Sequence, residues 1–157
     1  MDLTIAKTQD TALIHALTQA AFAEYGREPG TSTALKETEE AIAAQFAGGM
    51  EVLVVYQAAP LTPLACVRYQ FEGDALYFHR LSVHPDCRRQ GLAKKLVGHL
   101  EALARAQGLS RLTCSVRLQK ADNVALYTGL GFQLLGERSV CRDGTAVTTG
   151  DFEKRLV

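Results

Sequence analysis

Apolar and polar residues alternate along the chain in two rhythms, and the switches between them mark the elements. Leu3 to Ala6 reads as a short first strand. Asp10 can cap a helix whose apolar face is Leu13, Ile14, Leu17 and Ala21, running to about Glu24. Tyr25 to Ser32 carries the Gly and Pro of a loop, and Thr33 can cap a second helix with Leu35, Ile42 and Phe46 on one side. Gly48-Gly49 stops that helix. Three strands follow, Glu51 to Tyr56, Leu64 to Phe71 and Ala75 to Val83, and their short connections imply antiparallel neighbours.

The period turns helical from Gln90 to Gln107, with Leu92, Leu96, Val97, Leu100, Leu103 and Ala104 on one face and Gly108 closing it. Leu112 to Val116 is a strand, parallel to Ala75–Val83 if the unit is a β-α-β crossover. A short helix from Asp122 to Leu130 ends at Gly131, and Phe132 to Val140 and Thr145 to Leu156 form a hairpin over Asp143-Gly144. The predicted fold class is mixed α/β, a central sheet of about seven strands with about four helices on its faces. No repeat, low-complexity tract or linker divides the 157 residues, which predicts one domain over 1–157.

Composition narrows the partners. Lysine plus arginine and aspartate plus glutamate number 17 each, so the net charge is zero. A chain without excess positive charge is poorly suited to nucleic acid or to an anionic membrane. Cys66, Cys87, Cys114 and Cys141 form no C-x-x-C pair, which offers no metal site and fits reduced thiols in a cytoplasmic protein. No apolar run approaches the roughly 20 residues of a membrane span, and Met1 to Thr4 lacks the basic start of a signal peptide.

The candidate chemistry lies in Leu81-Ser82-Val83-His84-Pro85 and the Arg88-Arg89-Gln90-Gly91-Leu92-Ala93 that follows. A strand ends, a proline turns the chain, and small residues open a long helix. A helix N-terminus leaves N–H groups unpaired and carries partial positive charge, so a phosphate is its natural partner. Arg88, Arg89, Lys94 and Lys95 add charge there, and a bulky side chain at Gly91 or Ala93 would hold an anion away. A plain strand–turn–helix with solvated basic residues is the competing reading. The dinucleotide fingerprint and the P-loop are both absent.

This segment resembles the Arg/Gln-x-x-Gly-x-Gly/Ala loop of the GCN5-related N-acetyltransferase (GNAT) superfamily. Asn123-Val124-Ala125-Leu126-Tyr127 through Gly131-Phe132 is similar to a second motif of that family, at the proper distance. The resemblance implies a GNAT fold, with parallel fourth and fifth strands that splay apart around the coenzyme's pantetheine arm. It implies acetyl-CoA as co-substrate, no metal, and an amine of a small molecule or peptide as acceptor. A homodimer stays open beside a monomer, and a non-catalytic acyl-CoA-binding or regulatory module with this fold is the alternative function.

By the same resemblance, Leu81 and Val83 pair with the pantetheine through their main chain, and a bulge near Leu81-Ser82 frees them to do so. Amides from Arg88, Arg89, Gln90, Gly91, Leu92 and Ala93 cradle the pyrophosphate. Asn123 holds the pantetheine, or else caps its helix beside Asp122. Tyr127 is the expected general acid at the departing sulfur, and its alternative is packing on the short helix. A phenol near pKa ~10 can share a proton with a thiolate of roughly 8.5.

An alkylammonium acceptor of pKa ~10.4 needs help to lose its proton. His79 is the candidate base, against the alternative of a hydrogen-bonded core histidine. Arg80 either binds an acceptor carboxylate or pairs with an acid. The family often has a glutamate on this strand, and none stands between Leu76 and Val83. The resemblance places the acceptor pocket at Tyr25 to Thr33 and Val140 to Thr149, whose charged residues show no strong preference of sign.

Overall fold

The computed structural model describes residues 2–23, 33–118, 121–142 and 144–156. Its elements are strand β1 (Leu3–Lys7), helix α1 (Thr11–Phe22), helix α2 (Glu39–Ala47), strands β2 (Glu51–Gln57), β3 (Thr62–Glu72) and β4 (Ala75–Val83), helix α3 (Leu92–Ala106), strand β5 (Arg111–Arg117), helix α4 (Ala121–Gly129), and strands β6 (Gln133–Arg142) and β7 (Thr145–Arg155). The seven strands form one sheet in the order β1-β2-β3-β4-β5-β7-β6, antiparallel except at β4–β5. This is the mixed sheet the sequence predicts. The closing hairpin adds through β7, which lies against β5 and leaves β6 at the edge.

Each sheet face carries its own core. Under α3, Leu92, Leu96, Leu100 and Ala104 meet Val67, Leu76, Phe78 and Leu112 of the strands. Under α1 and α2, Ile14, Leu17 and Ile42 meet Val52, Val54 and Cys66. Burial of each large aliphatic side chain contributes about 1.5–3 kcal/mol, so these two layers fix the sheet that the site is cut into.

Asp10 caps α1, its carboxylate accepting from the Leu13 N–H at 3.1 Å. The second cap differs from expectation. Thr33 opens a short 3-10 turn ending at Lys36, and Thr38 caps α2 by accepting from the Ala41 N–H at 3.1 Å. The reason lies in competing partners. The Glu37 carbonyl accepts from His15 Nε2 at 3.0 Å and the Ala34 carbonyl from Gln19 Nε2 at 2.9 Å, tying this segment sideways to α1.

Beneath that turn sits a buried ion pair. Arg68 of β3 is fully buried and contacts the Glu37 carboxylate at 2.6 and 2.8 Å, with further bonds to Thr18 and Gln45. Burial pushes the Glu37 carboxyl upward, but the bonds and charge of Arg68 outweigh it and hold the pKa below the usual value.

Candidate active site

The parallel ladder between β4 and β5 is short. Ala75, Leu76 and Tyr77 pair with Arg111, Leu112 and Thr113, and there it ends, although β4 runs on to Val83 and β5 to Arg117. Beyond it the strands part, and the edge of β4 facing the gap has no strand partner. An extended chain of amides can add to such an edge as a strand would.

A bulge shapes that edge. Between the pairs Cys66–Ser82 and Arg68–His79, β3 has one residue and β4 has two, Arg80 and Leu81. Arg80 takes a left-handed φ of 52°, and the Ser82 hydroxyl donates to the Arg80 carbonyl at 2.9 Å. The bulge thus falls one residue before the expected Leu81-Ser82.

At the far end of β4 the chain turns through Pro85–Cys87 into α3. Arg89 and Gly91 have left-handed φ of 64° and 75°, which bends the loop into a cup at the helix start. Among the described residues, the N–H groups from Gly91 to Lys94 have no acceptor. A Cβ placed on Gly91 would meet nothing within 4 Å. The cup therefore has room and donors for a phosphate, in the form a pyrophosphate-bearing coenzyme requires. The Arg88 guanidinium points elsewhere and donates to the Ala21 carbonyl at 2.9 Å, binding the loop to the end of α1.

The gap and the cup open into one groove of about 900 Å³, lined by Leu81, Val83, Gly91, Asn123 and Tyr127 among others. Tyr127 of α4 is 7% exposed. Its ring lies 6.1 Å from Phe78, 5.6 Å from Phe132 and 6.3 Å from Phe152, a cluster that orients the phenol from three sides. His79 lies across the gap on β4, its ring 5.5 Å from Tyr77. Burial first, then the charges of Arg80 and Arg68, push the His79 pKa down to about 4, with Glu37 opposing. Its Nε2 is buried without a partner. Cys114 also lines the groove, but burial drives its thiol up to about 12, which removes it as a nucleophile near neutrality.

Residues 13–132 match the model of the family described as "Acetyltransferase (GNAT) family". The chain belongs to the GNAT family. Among curated GNAT relatives, the ribosomal protein bS18 alanine N-acetyltransferase of Escherichia coli K12 is 34% identical over 77 residues, 49% of this chain and 50% of that protein. The chain thus aligns with about half the length of that relative. The crystal structure of the E. coli ribosomal-protein-S18-alanine N-acetyltransferase matches with a TM-score of 0.76 at 22% identity, covering 99% of this chain and 94% of that one. The PaiA N-acetyltransferase of Thermoplasma acidophilum, solved with coenzyme A, matches with a TM-score of 0.77 at 15% identity and 99% coverage of both chains. These likenesses establish the GNAT fold.

The fold brings Leu81, Val83, Arg88, Arg89, Gly91, Leu92, Ala93, Asn123, Tyr127 and His79 to the GNAT groove. Ser82 and Gln90 are not in its lining. Ser82 is fully buried and braces the bulge, while Gln90 faces solvent. Asn123 lies in the first turn of α4 and lines the groove. Of the loops expected to shape the acceptor side, Tyr25, Arg27, Glu28 and Asp143 lie outside the described residues. Thr33, Val140 and Thr149, at the edges of the expected acceptor segments, line the groove, whereas sequence reasoning missed Tyr77, Ser115, Arg117 and Arg138, which line it as well. The signal was the polar residue at every second position of Thr113, Ser115, Arg117 and again of Thr149, Asp151, Glu153, which marks a sheet face with no helix over it.

Proposed function

We propose that this protein transfers an acetyl group from acetyl-CoA to the amine of an acceptor, by direct attack within a ternary complex. The observation that carries this reading is the joining, in one groove, of a strand edge left open for a pantetheine arm and a cup of free amides suited to its pyrophosphate. Leu81 and Val83 offer the strand edge, Arg88 to Ala93 the cup, and Asn123 a side chain at the groove wall. The curated relatives bear names of N-acetyltransferases, in keeping with an amine acceptor. The four free cysteines suit a cytoplasmic setting.

The coenzyme supplies an activated acyl thioester. The acceptor nitrogen bonds to the acyl carbon, the carbon–sulfur bond breaks, and the nitrogen gives up one proton. Tyr127 donates a proton toward the departing sulfur from a ring held fixed by Phe78, Phe132 and Phe152. His79 acts differently from a full base. Taking a proton from an ammonium of pKa ~10.4 onto an imidazole of about 4 is uphill by roughly 9 kcal/mol. The ammonium instead loses that proton to bulk solvent before attack, at a cost of about 4–5 kcal/mol near pH 7. The orphaned Nε2 of neutral His79 then accepts a hydrogen bond from the free amine, aiming its lone pair. The proton that leaves nitrogen on amide formation balances the one Tyr127 gives to sulfur.

The test is Tyr127→Phe, followed by thiol release and by coenzyme A titration calorimetry. Turnover should fall about a hundredfold or more while coenzyme affinity stays within a factor of about two. Unchanged turnover removes Tyr127 from the mechanism. Coenzyme binding with no thiol release for any amine makes the protein a binding module instead.

A further inference from the structure

Among the described residues, arginines predominate on the acceptor side of the groove. Setting aside Arg88, Arg89 and Lys94 at the cup, the charged side chains lining the groove among the described residues are Arg80, Arg117, Arg138 and a single carboxylate, Asp122. Three of those four are arginines that approach from β4, β5 and β6.

Two of the arginines stand in one row. Arg117 of β5 and Arg138 of β6 both pair with Thr149 of β7, so Arg117, Thr149 and Arg138 cross three adjacent strands side by side. Residues in register present their side chains to the same sheet face, with Cβ atoms about 4.5–5.5 Å apart from one strand to the next. Thr149 Oγ1 in the middle is buried and has no hydrogen-bond partner. An orphaned hydroxyl of this kind costs about 1–3 kcal/mol in a folded protein unless a ligand completes it.

The row keeps donors in reserve. Arg138 donates to Asp151 at 2.9 Å and to Ser115 at 3.2 Å, and both bonds use Nη2. Among the described residues its Nε and Nη1 have no partner. Asp151 pairs with Arg138, and Arg80 donates to the Thr33 hydroxyl at 3.1 Å. Guanidinium forks and a hydroxyl match a carboxylate, which accepts several hydrogen bonds at once. The same field repels a polyamine.

We infer that the acceptor is a small amine that also bears a carboxylate, an amino acid in chemical class, and that the Arg117–Thr149–Arg138 row seats that carboxylate. This rests on the acyltransfer reading above. Arg117 lies at the end of β5, on the side of the gap where the strands have parted, so an acceptor held there has its amine beside the thioester.

The experiment measures thiol release from acetyl-CoA with each protein amino acid, its carboxamide, and spermidine. Calorimetry follows binding of the same compounds to the protein–coenzyme A complex. At least one amino acid should exceed its carboxamide at least about tenfold in kcat/KM. Arg138→Gln and Arg117→Gln should erase that preference by raising KM for the amino acid about tenfold or more, with KM for acetyl-CoA unchanged. Thr149→Val should act the same way, about three- to tenfold. The Arg138 side chain is 59% exposed, so its variant tests recognition without threatening the fold.

Carboxamides or spermidine used as well as the amino acids overturn the inference, as does an arginine variant that weakens acetyl-CoA instead. Amino acids that bind the complex through the row without thiol release support the seat and break the acyltransfer reading. No binding and no reaction by any carboxylate rejects the seat, and acetylation of other amines then leaves the acyltransfer reading standing.

Discussion

In the proposed reading, the coenzyme half of the groove draws mainly on one stretch of chain, Leu81 to Ala93, with Asn123 and Tyr127 from α4, and would work mainly through backbone groups. The acceptor half collects side chains from β4, β5, β6 and β7, from Tyr77 to Thr149. The first half depends on φ angles and on where a ladder stops. The second depends on register and on burial. The two halves should therefore fail in different ways when single residues are changed.

The largest effect lies outside both halves, in the ion pair beneath the 3-10 turn. Arg68→Ala leaves the buried Glu37 carboxylate without its partner, and the folded state should lose about 3–5 kcal/mol, read from the urea midpoint. Replacing both, as Glu37→Leu with Arg68→Met, should restore most of it. Equal loss in the single and double variants would show that the pair itself is not what holds the 3-10 turn.

Acid should act next. The His79 pKa is lowered from 6.5 to about 4 in the folded protein. Between these values the unfolded chain binds a proton that the folded protein refuses. Stability therefore falls as pH drops through that window, by about 3 kcal/mol in total, and is unaffected by this group above it. His79→Gln should flatten that part of the stability curve. Urea titrations at about pH 7 and about pH 4.5 read the difference. An unchanged slope would place His79 in contact with solvent.

The coenzyme half is probed by Gly91→Val. At φ +75° a β-branched residue is strained by about 1–2 kcal/mol, and its side chain enters the space above the free amides. Coenzyme A affinity should fall about tenfold or more by calorimetry, with KM for the acceptor nearly unchanged at saturating acetyl-CoA. A larger change in acceptor KM than in coenzyme affinity would mean that the two halves are coupled.

Much of this architecture was legible in the chain. Alternation and helical spacing marked the seven strands, and Asp10 and the Gly91 loop marked helix starts where the structure has them. Local signals failed where distant partners decided the outcome. Thr33 reads as the cap of the second helix, but Thr38 caps it, because the side chains of His15 and Gln19 take the carbonyls of Glu37 and Ala34. The bulge lies at Arg80 because Ser82 must fall opposite Cys66, a register fixed by β3.

The site divides along the same line. The Gly91 loop was readable because its function is carried by neighbours in sequence. The row of Arg117, Thr149 and Arg138 was not, since only the insertion of β7 between β5 and β6 makes these residues neighbours. His79 was visible as a candidate, but its weak basicity comes from burial and from Arg80 and Arg68, and the identity of the residue says nothing of that.

The short ladder between β4 and β5 has a consequence for how such a protein changes over generations. The two strands are joined by three residue pairs at their closed end, and none of Arg117, Thr149 and Arg138 belongs to those pairs. If the row seats the acceptor as proposed, exchanging Arg117, Thr149 or Arg138 would alter what is recognised without touching that ladder. A lineage can thus move from one acceptor to another by single steps, each leaving a protein that still holds the same acyl donor.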